Sequence, residues 1–121
     1  MRSILASDQE WPQQLNQLEV SPAQIFIESS EPDLSALTAK SIAIVGSRNA
    51  TPYGLRIATE FAAALAEGGY TIISGGAFGI DAAAHRGALA VGGKTVVVLA
   101  GGVDCPYPLA HSNLFTDASK N

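Results

Sequence analysis

The chain has little of what marks a secreted, membrane-bound or metal-dependent protein. Cys105 is its one cysteine in 121 residues. A single cysteine forms no internal disulfide, which points to the reducing cytoplasm. It has no second thiol beside it, and His85 and His111 are isolated along the sequence, so neither a metal nor a cofactor is expected. Cys105 itself reads as a loop or packing residue. No apolar run approaches the roughly 18 residues needed to span a bilayer, so no membrane contact is expected. The apolar part of Met1–Ala6 is too short for a secretory signal. Positive charge is scarce as well: 7 Lys and Arg stand against 11 Asp and Glu, a net charge of −4. That balance lacks the basic stripe of a strong nucleic-acid binder. The deficit is local, however. Residues 1–40 hold six acids and two bases, whereas residues 41–121 hold five of each and are neutral. The neutral part can hold a phosphate through backbone groups and one or two well-placed arginines.

Glycine is plentiful, with 12 residues, and its placement is regular. Three apolar runs end in glycine where a strand would stop: Ile42–Gly46, Thr71–Gly76 and Thr95–Gly102. Polar residues follow each run. If the runs are parallel neighbours, all three turns lie at one sheet edge, where open α/β sheets bind ligands. Exposed N–H groups at such an edge favour an anion, and phosphate is the first ligand to consider.

The first forty residues read as an irregular lead-in. Trp11, Leu15 and Leu18 suit a short helix over Glu10–Leu18, Gln24–Glu28 a short strand, and Leu34–Leu37 a helical turn. From Ser41 the pattern becomes regular. A strand over 42–46 leads to a helix over Pro52–Glu67, capped by Thr51 and ended by Gly68-Gly69. Leu55, Ala58, Phe61, Ala62 and Leu65 are expected to face the sheet. A strand over 70–74, a helix over Ile80–Val91 and a strand over 95–99 repeat the unit, which implies parallel pairing by right-handed crossovers. The small residues of the second helix allow it to sit very close to the sheet. A short helical start is expected over His111–Phe115, then fraying. The expectation is an α/β, three-layer Rossmann-like domain with a mainly parallel sheet, truncated at the C-terminus. Residues 1–40 form a lead-in that packs on the core, and residues 41–121 form the partial domain.

Each motif has a functional and a bland reading. Gly46-Ser47-Arg48 makes a phosphate cradle, or a tight turn with a solvated arginine. Ser74-Gly75-Gly76-Ala77-Phe78-Gly79 makes a nest of backbone donors, or a site of close helix–strand packing. It lacks the Gly-Lys-Ser/Thr ending of a P-loop and the spacing of the dinucleotide fingerprint. Asp81 and His85, four apart on one helix face, begin an acid–base pair or make a structural hydrogen bond that holds the helix start and the glycine loop in register. No Ser or Cys nucleophile is placed to complete a catalytic site, and the structural reading is the expectation.

Taken together, Gly46-Ser47-Arg48, Ser74-Gly75-Gly76-Ala77 with Gly79-Ile80-Asp81, Ala84-His85, Gly87-Ala88-Leu89, Thr95–Leu99, and Gly101-Gly102-Val103-Asp104 followed by Tyr107-Pro108 resemble the DNA-processing protein A family (DprA, also called Smf). Trp11-Pro12, Leu15, Leu18 and Pro22 resemble the segment that precedes this family's Rossmann-like domain. The resemblance covers nearly the whole chain. It implies a non-catalytic protein that binds single-stranded DNA, protects incoming strands during natural transformation and helps load the recombinase RecA. By motif it makes Arg48 the principal phosphate contact. Gly46, Ser47, Ser74, Gly75, Gly76, Ala77, Phe78 and Gly79 would line the same edge, and the loop bearing Gly101, Gly102, Asp104 and Tyr107 would wall the groove. Asp81 and His85 would be structural.

There are departures from the family. Members continue past Tyr-Pro with further strands, whereas Thr116–Asn121 does not resemble that continuation. The family's self-association surface lies largely in that later part, so a homo-oligomer is left open. Leu109 and Ala110 stand where a basic residue often follows Tyr-Pro, which should weaken DNA binding. The competing expectation is a phosphoribohydrolase-like enzyme acting on nucleoside monophosphates. It rests on the phosphate loop with Asp81 and His85, but the chain has no Pro-Gly-Gly-x-Gly-Thr stretch.

Overall fold

A computed structural model describes residues 2–100 and 111–120. The elements run β1 (Arg2–Leu5), a 3-10 helix (Gln13–Gln17), β2 (Gln24–Ile27), α1 (Leu34–Thr38), β3 (Ser41–Ala43), α2 (Pro52–Glu67), β4 (Thr71–Gly75), α3 (Ile80–Ala90), β5 (Thr95–Val98) and α4 (Ser112–Lys120). Strands β3, β4 and β5 form a parallel sheet in chain order, with Ile42 opposite Ile72 and Ile72 opposite Thr95. A helix bridges each successive pair, and right-handed crossovers in that order put both helices on one face. Accordingly α2 and α3 pack on each other as well as on β4. Ala62, Ile72, Ala84 and Ala88 form the fully buried centre, with Ile44, Leu65 and Ala66 against it. Val45 and Val98, at the ends of the edge strands, are largely exposed. The described residues thus supply the sheet and its helical layer on one face. None of their helices is long and apolar enough to cross a membrane.

Helix α2 has the bounds that its sequence signals require. Thr51 stays extended, its hydroxyl accepts from the Gly54 N–H at 3.1 Å, and Pro52 occupies the first turn, where no N–H is needed. Thr51→Ala is expected to cost about 1 kcal/mol in urea denaturation, because one donor of the first turn loses its acceptor. Phe61 departs from expectation. It is exposed, while Ala58 and Ala62 carry the buried stripe. The reason is that α2 packs on α3 as well as the sheet, which turns its buried face towards small residues. A Cβ at Gly87 would lie 2.3 Å from the Thr59 carbonyl oxygen, so the small residues of α3 admit α2 as well as the sheet.

The lead-in has more order than its sequence suggests. β1, which local pattern did not reveal, pairs antiparallel with the expected strand β2. Trp11, fully buried, sits between Ile4 and Ile27. The expected helix over Glu10–Leu18 contracts to one 3-10 segment, because Pro12 enters it with extended backbone and no side-chain cap. Arg2 holds Glu10 and the Glu31 carbonyl, and Glu10 also accepts from the Leu34 N–H. The hydrogen bond from Arg2 pulls the Glu10 carboxyl below its ordinary pKa. The Ser30 N–H donates to the Ser119 carbonyl at 2.8 Å, tying this unit to α4. That helix continues to Lys120 instead of fraying after Phe115, since Leu114 and Ala118 are buried, and it packs on α3 and β5.

Candidate nucleic-acid interface

The parallel order of the strands brings the first two glycine turns together. β3 is shorter than its apolar run, and one further bond, from the Ile44 N–H to the Ile73 carbonyl, precedes the turn. The chain then bends so that the Ser47 carbonyl accepts from the Ile80 N–H at 3.1 Å. Gly79 makes this approach possible. Its φ of 81° is one that other residues rarely adopt, and a Cβ there would stand 2.2 Å from the Ser47 oxygen. Gly46 packs against Ile80, where a Cβ would meet the side chain at 2.8 Å. Both turns are therefore built by close packing, and packing alone accounts for these two glycines.

Beside the turns lies a shallow, open depression of about 430 Å³. The first turn contributes Arg48 and Asn49, the second Phe78 and Gly79, α3 contributes Arg86, and His111 also lines it. Arg48 is exposed and makes no hydrogen bond or ion pair among the described residues. Among the described residues no carboxylate lines the depression. An exposed guanidinium beside exposed backbone, away from acids, favours a phosphate.

The other predicted residues divide. Ser47 stays at the rim, its hydroxyl accepting from the Asn49 N–H at 3.1 Å. Two rim amides, those of Asn49 and Ile80, are therefore used internally. Ala77 is half-buried in the second turn, and the Gly76 carbonyl accepts from His111 Nδ1 at 3.0 Å. Ser74 does not reach the rim. It is buried and donates to the Ile44 carbonyl, because strand alternation points it towards the helices along with Ile72. Gly75 backs onto Asp81, whose Oδ2 would lie 2.7 Å from a Cβ there. Gly101, Gly102, Asp104 and Tyr107, like Cys105, lie outside the described residues.

Asp81 and His85 are not hydrogen-bonded to each other. His85 is fully buried, with Nε2 2.8 Å from the Gly75 carbonyl oxygen and Nδ1 2.6 Å from the Thr95 hydroxyl. The expected Asp81–His85 hydrogen bond is therefore absent, and the imidazole ties α3 to Gly75 and to Thr95 of β5 instead. Both ring nitrogens are engaged and shielded from solvent, which removes the acid–base pair that favoured a nucleotide-processing enzyme. Among the described residues no group of three His, Cys, Asp or Glu side chains converges on a point.

Two residues at this edge carried no local signal. Arg86 reads as one more helical charge, and its place on the wall depends on how α3 is rotated. His111 arrives from outside the two repeated units, at the head of α4. Its ring meets Phe78 edge-on at 4.7 Å and Phe115 at 6.0 Å, so an aromatic row braces the second turn.

Sheet and crossovers together define a Rossmann-like α/β protein, with Arg48 and Arg86 at one edge of it. The comparisons with known proteins narrow this class to one family. The chain belongs to the family of DNA recombination-mediator protein A, whose model matches residues 2–121. A putative DNA processing protein DprA of Mycobacterium tuberculosis is 53% identical over 81 residues, covering 67% of this chain and 21% of that protein. The X-ray structure of DprA from Streptococcus pneumoniae superposes with a TM-score of 0.87 at 32% identity, over 99% of this chain and 41% of that one. A structure of DNA processing protein A from Helicobacter pylori, described for its unique single-stranded DNA binding mode, gives 0.82 at 26% identity, over 99% and 53%. The chain thus spans about a fifth of the curated relative and about half or less of the solved ones.

Proposed function

We propose that this chain binds single-stranded DNA without regard to sequence, through its phosphates. The protein it represents would act in DNA uptake and natural transformation, protecting incoming strands and delivering them to RecA. The observation that carries the reading is Arg48: exposed, beside the Gly76–Gly79 turn, and, among the described residues, unpaired in a depression that no acid lines. Strand binding that ignores sequence needs phosphate anchors of this kind. Family membership, and the single-stranded DNA binding described for the Helicobacter pylori relative, support it. No catalytic step is assigned.

The test is a titration of fluorescently labelled oligo-dT across a salt series. Arg48→Ala is expected to weaken binding about tenfold and to lower the salt dependence, as loss of a phosphate contact requires. Equal affinity of the two proteins would take Arg48 out of the site. Release of free base from nucleoside monophosphates would replace this reading with an enzymatic one.

A further inference from the structure

We propose that Arg86 is a second phosphate anchor. The depression then takes one nucleotide of a single strand, with its flanking phosphates on Arg48 and Arg86 and its base over Phe78. The inference rests on the single-strand reading above and specifies how that site holds a strand.

Four arginines occur among the described residues, and they fall into two pairs. Arg2 is held by Glu10, and Arg56 lies 4.0 Å from Glu60 and over the Tyr53 ring. Arg48 and Arg86 have neither ion pair nor hydrogen bond among the described residues, and both line the same depression. They reach it from different elements, the first turn and α3. Two unpaired guanidiniums thus line one hollow that holds no acid among the described residues, although Arg86 also borders Asp117 on its far side, and an anion between them would meet positive charge from both. Arg86 is also the exposed residue within a buried run of α3, flanked by His85 and Gly87. Its charge therefore projects from an element fixed by the core, which holds an anchor in place.

Phe78 supplies the part that is not electrostatic. It is 48% exposed on the depression, and its ring is braced by His111. A braced, half-exposed aromatic ring beside phosphate anchors is the arrangement on which bases of single strands stack, with little preference among bases.

The experiment is an anisotropy titration of labelled oligo-dT, and of an abasic strand of equal length, across a salt series. The proteins are the wild type, Arg48→Ala, Arg86→Ala, Arg86→Lys and Phe78→Leu. Arg86 is exposed, so its substitution should leave the melting temperature unchanged, which is checked directly. Arg86→Ala is expected to weaken both strands about fivefold and to reduce the slope of log affinity against log salt by about 0.7, the value for one phosphate of a single strand. Arg86→Lys should keep the slope. Phe78→Leu should weaken oligo-dT several-fold, with unchanged slope and no effect on the abasic strand. Wild-type affinity and slope for Arg86→Ala, with Arg48→Ala still impaired, would overturn the second anchor and leave the first. An equal effect of Phe78→Leu on both strands would overturn the base contact. No binding by the wild type would overturn this inference and the single-strand reading together.

Discussion

Gly79→Ala is expected to destabilise the fold by about 3 kcal/mol and to reduce oligo-dT affinity with it. Two costs combine at this position. The backbone stands at φ 81° and ψ −126°, a region that a Cβ disfavours. The added methyl would also lie 2.2 Å from the Ser47 oxygen, 2.7 Å from the Arg48 oxygen and 2.9 Å from the Arg48 carbonyl carbon. All three are backbone atoms, so no side-chain rotation relieves them. The first turn must move away, the Ile80–Ser47 hydrogen bond breaks, and Arg48 leaves the Phe78 turn. Gly92→Ala separates the two costs. Its φ is 70°, yet nothing lies within 4 Å of a Cβ there. It should cost about 1 kcal/mol by strain alone and leave affinity unchanged. Equal stability losses for the two variants, measured by urea denaturation, would show that the turns are not in contact in solution.

The same geometry shows what a sequence reveals and what it does not. The meeting of the Ser47 and Phe78 turns was legible, because parallel strands joined by right-handed crossovers must place successive strand ends at one edge. The bounds of α2 were legible because Thr51, Pro52 and Gly68 each carry a local backbone reason. β1 was not, since four residues without clear alternation become a strand only by pairing with Gln24–Ile27. Ser74 looked like a rim residue because it adjoins two glycines. Its inward direction follows from register, in which it stands opposite Val97. Phe61 was placed on the sheet side of α2 by helical period, but the neighbouring helix claims the buried face. Arg86 and His111 reach the site through the rotation of α3 and the return of α4. Both are tertiary facts that no spacing along the chain encodes.

His85 gives the second large effect, and it makes stability depend on pH. Its ring is fully buried, and Nε2 faces the Gly75 carbonyl, which only accepts, so that nitrogen carries a proton. Burial pushes the imidazole pKa below its ordinary value. The Gly75 hydrogen bond and the Asp81 charge oppose the shift, while the charges of His111 and Arg86 add to it. The folded ring is therefore neutral, with Nδ1 2.6 Å from the Thr95 hydroxyl, which also donates to the Ile72 carbonyl at 2.8 Å. The unfolded chain takes up a proton at about pH 6.5, and the folded one only at lower pH. Between those two points the unfolded state holds more protons, so stability rises with pH there and is constant above. One such group gives a slope of at most about 1.4 kcal/mol per pH unit.

His85→Leu should cost about 3 kcal/mol at pH 7.5, because it leaves the Gly75 carbonyl without this donor and refills the core imperfectly. It should also flatten the slope just below pH 6.5. The Glu10 contribution is distinct. Its lowered pKa gives stability that is present above about pH 4.5 and lost as the pH falls through the folded value. It should survive in the variant. Urea midpoints measured from pH 4 to 8 check both points, and an unchanged slope near pH 6 in His85→Leu would show that the ring is not buried neutral. Because Nε2 donates to Gly75 in both protonation states, acid acts here through burial of the charge and not through loss of the grip on the second turn.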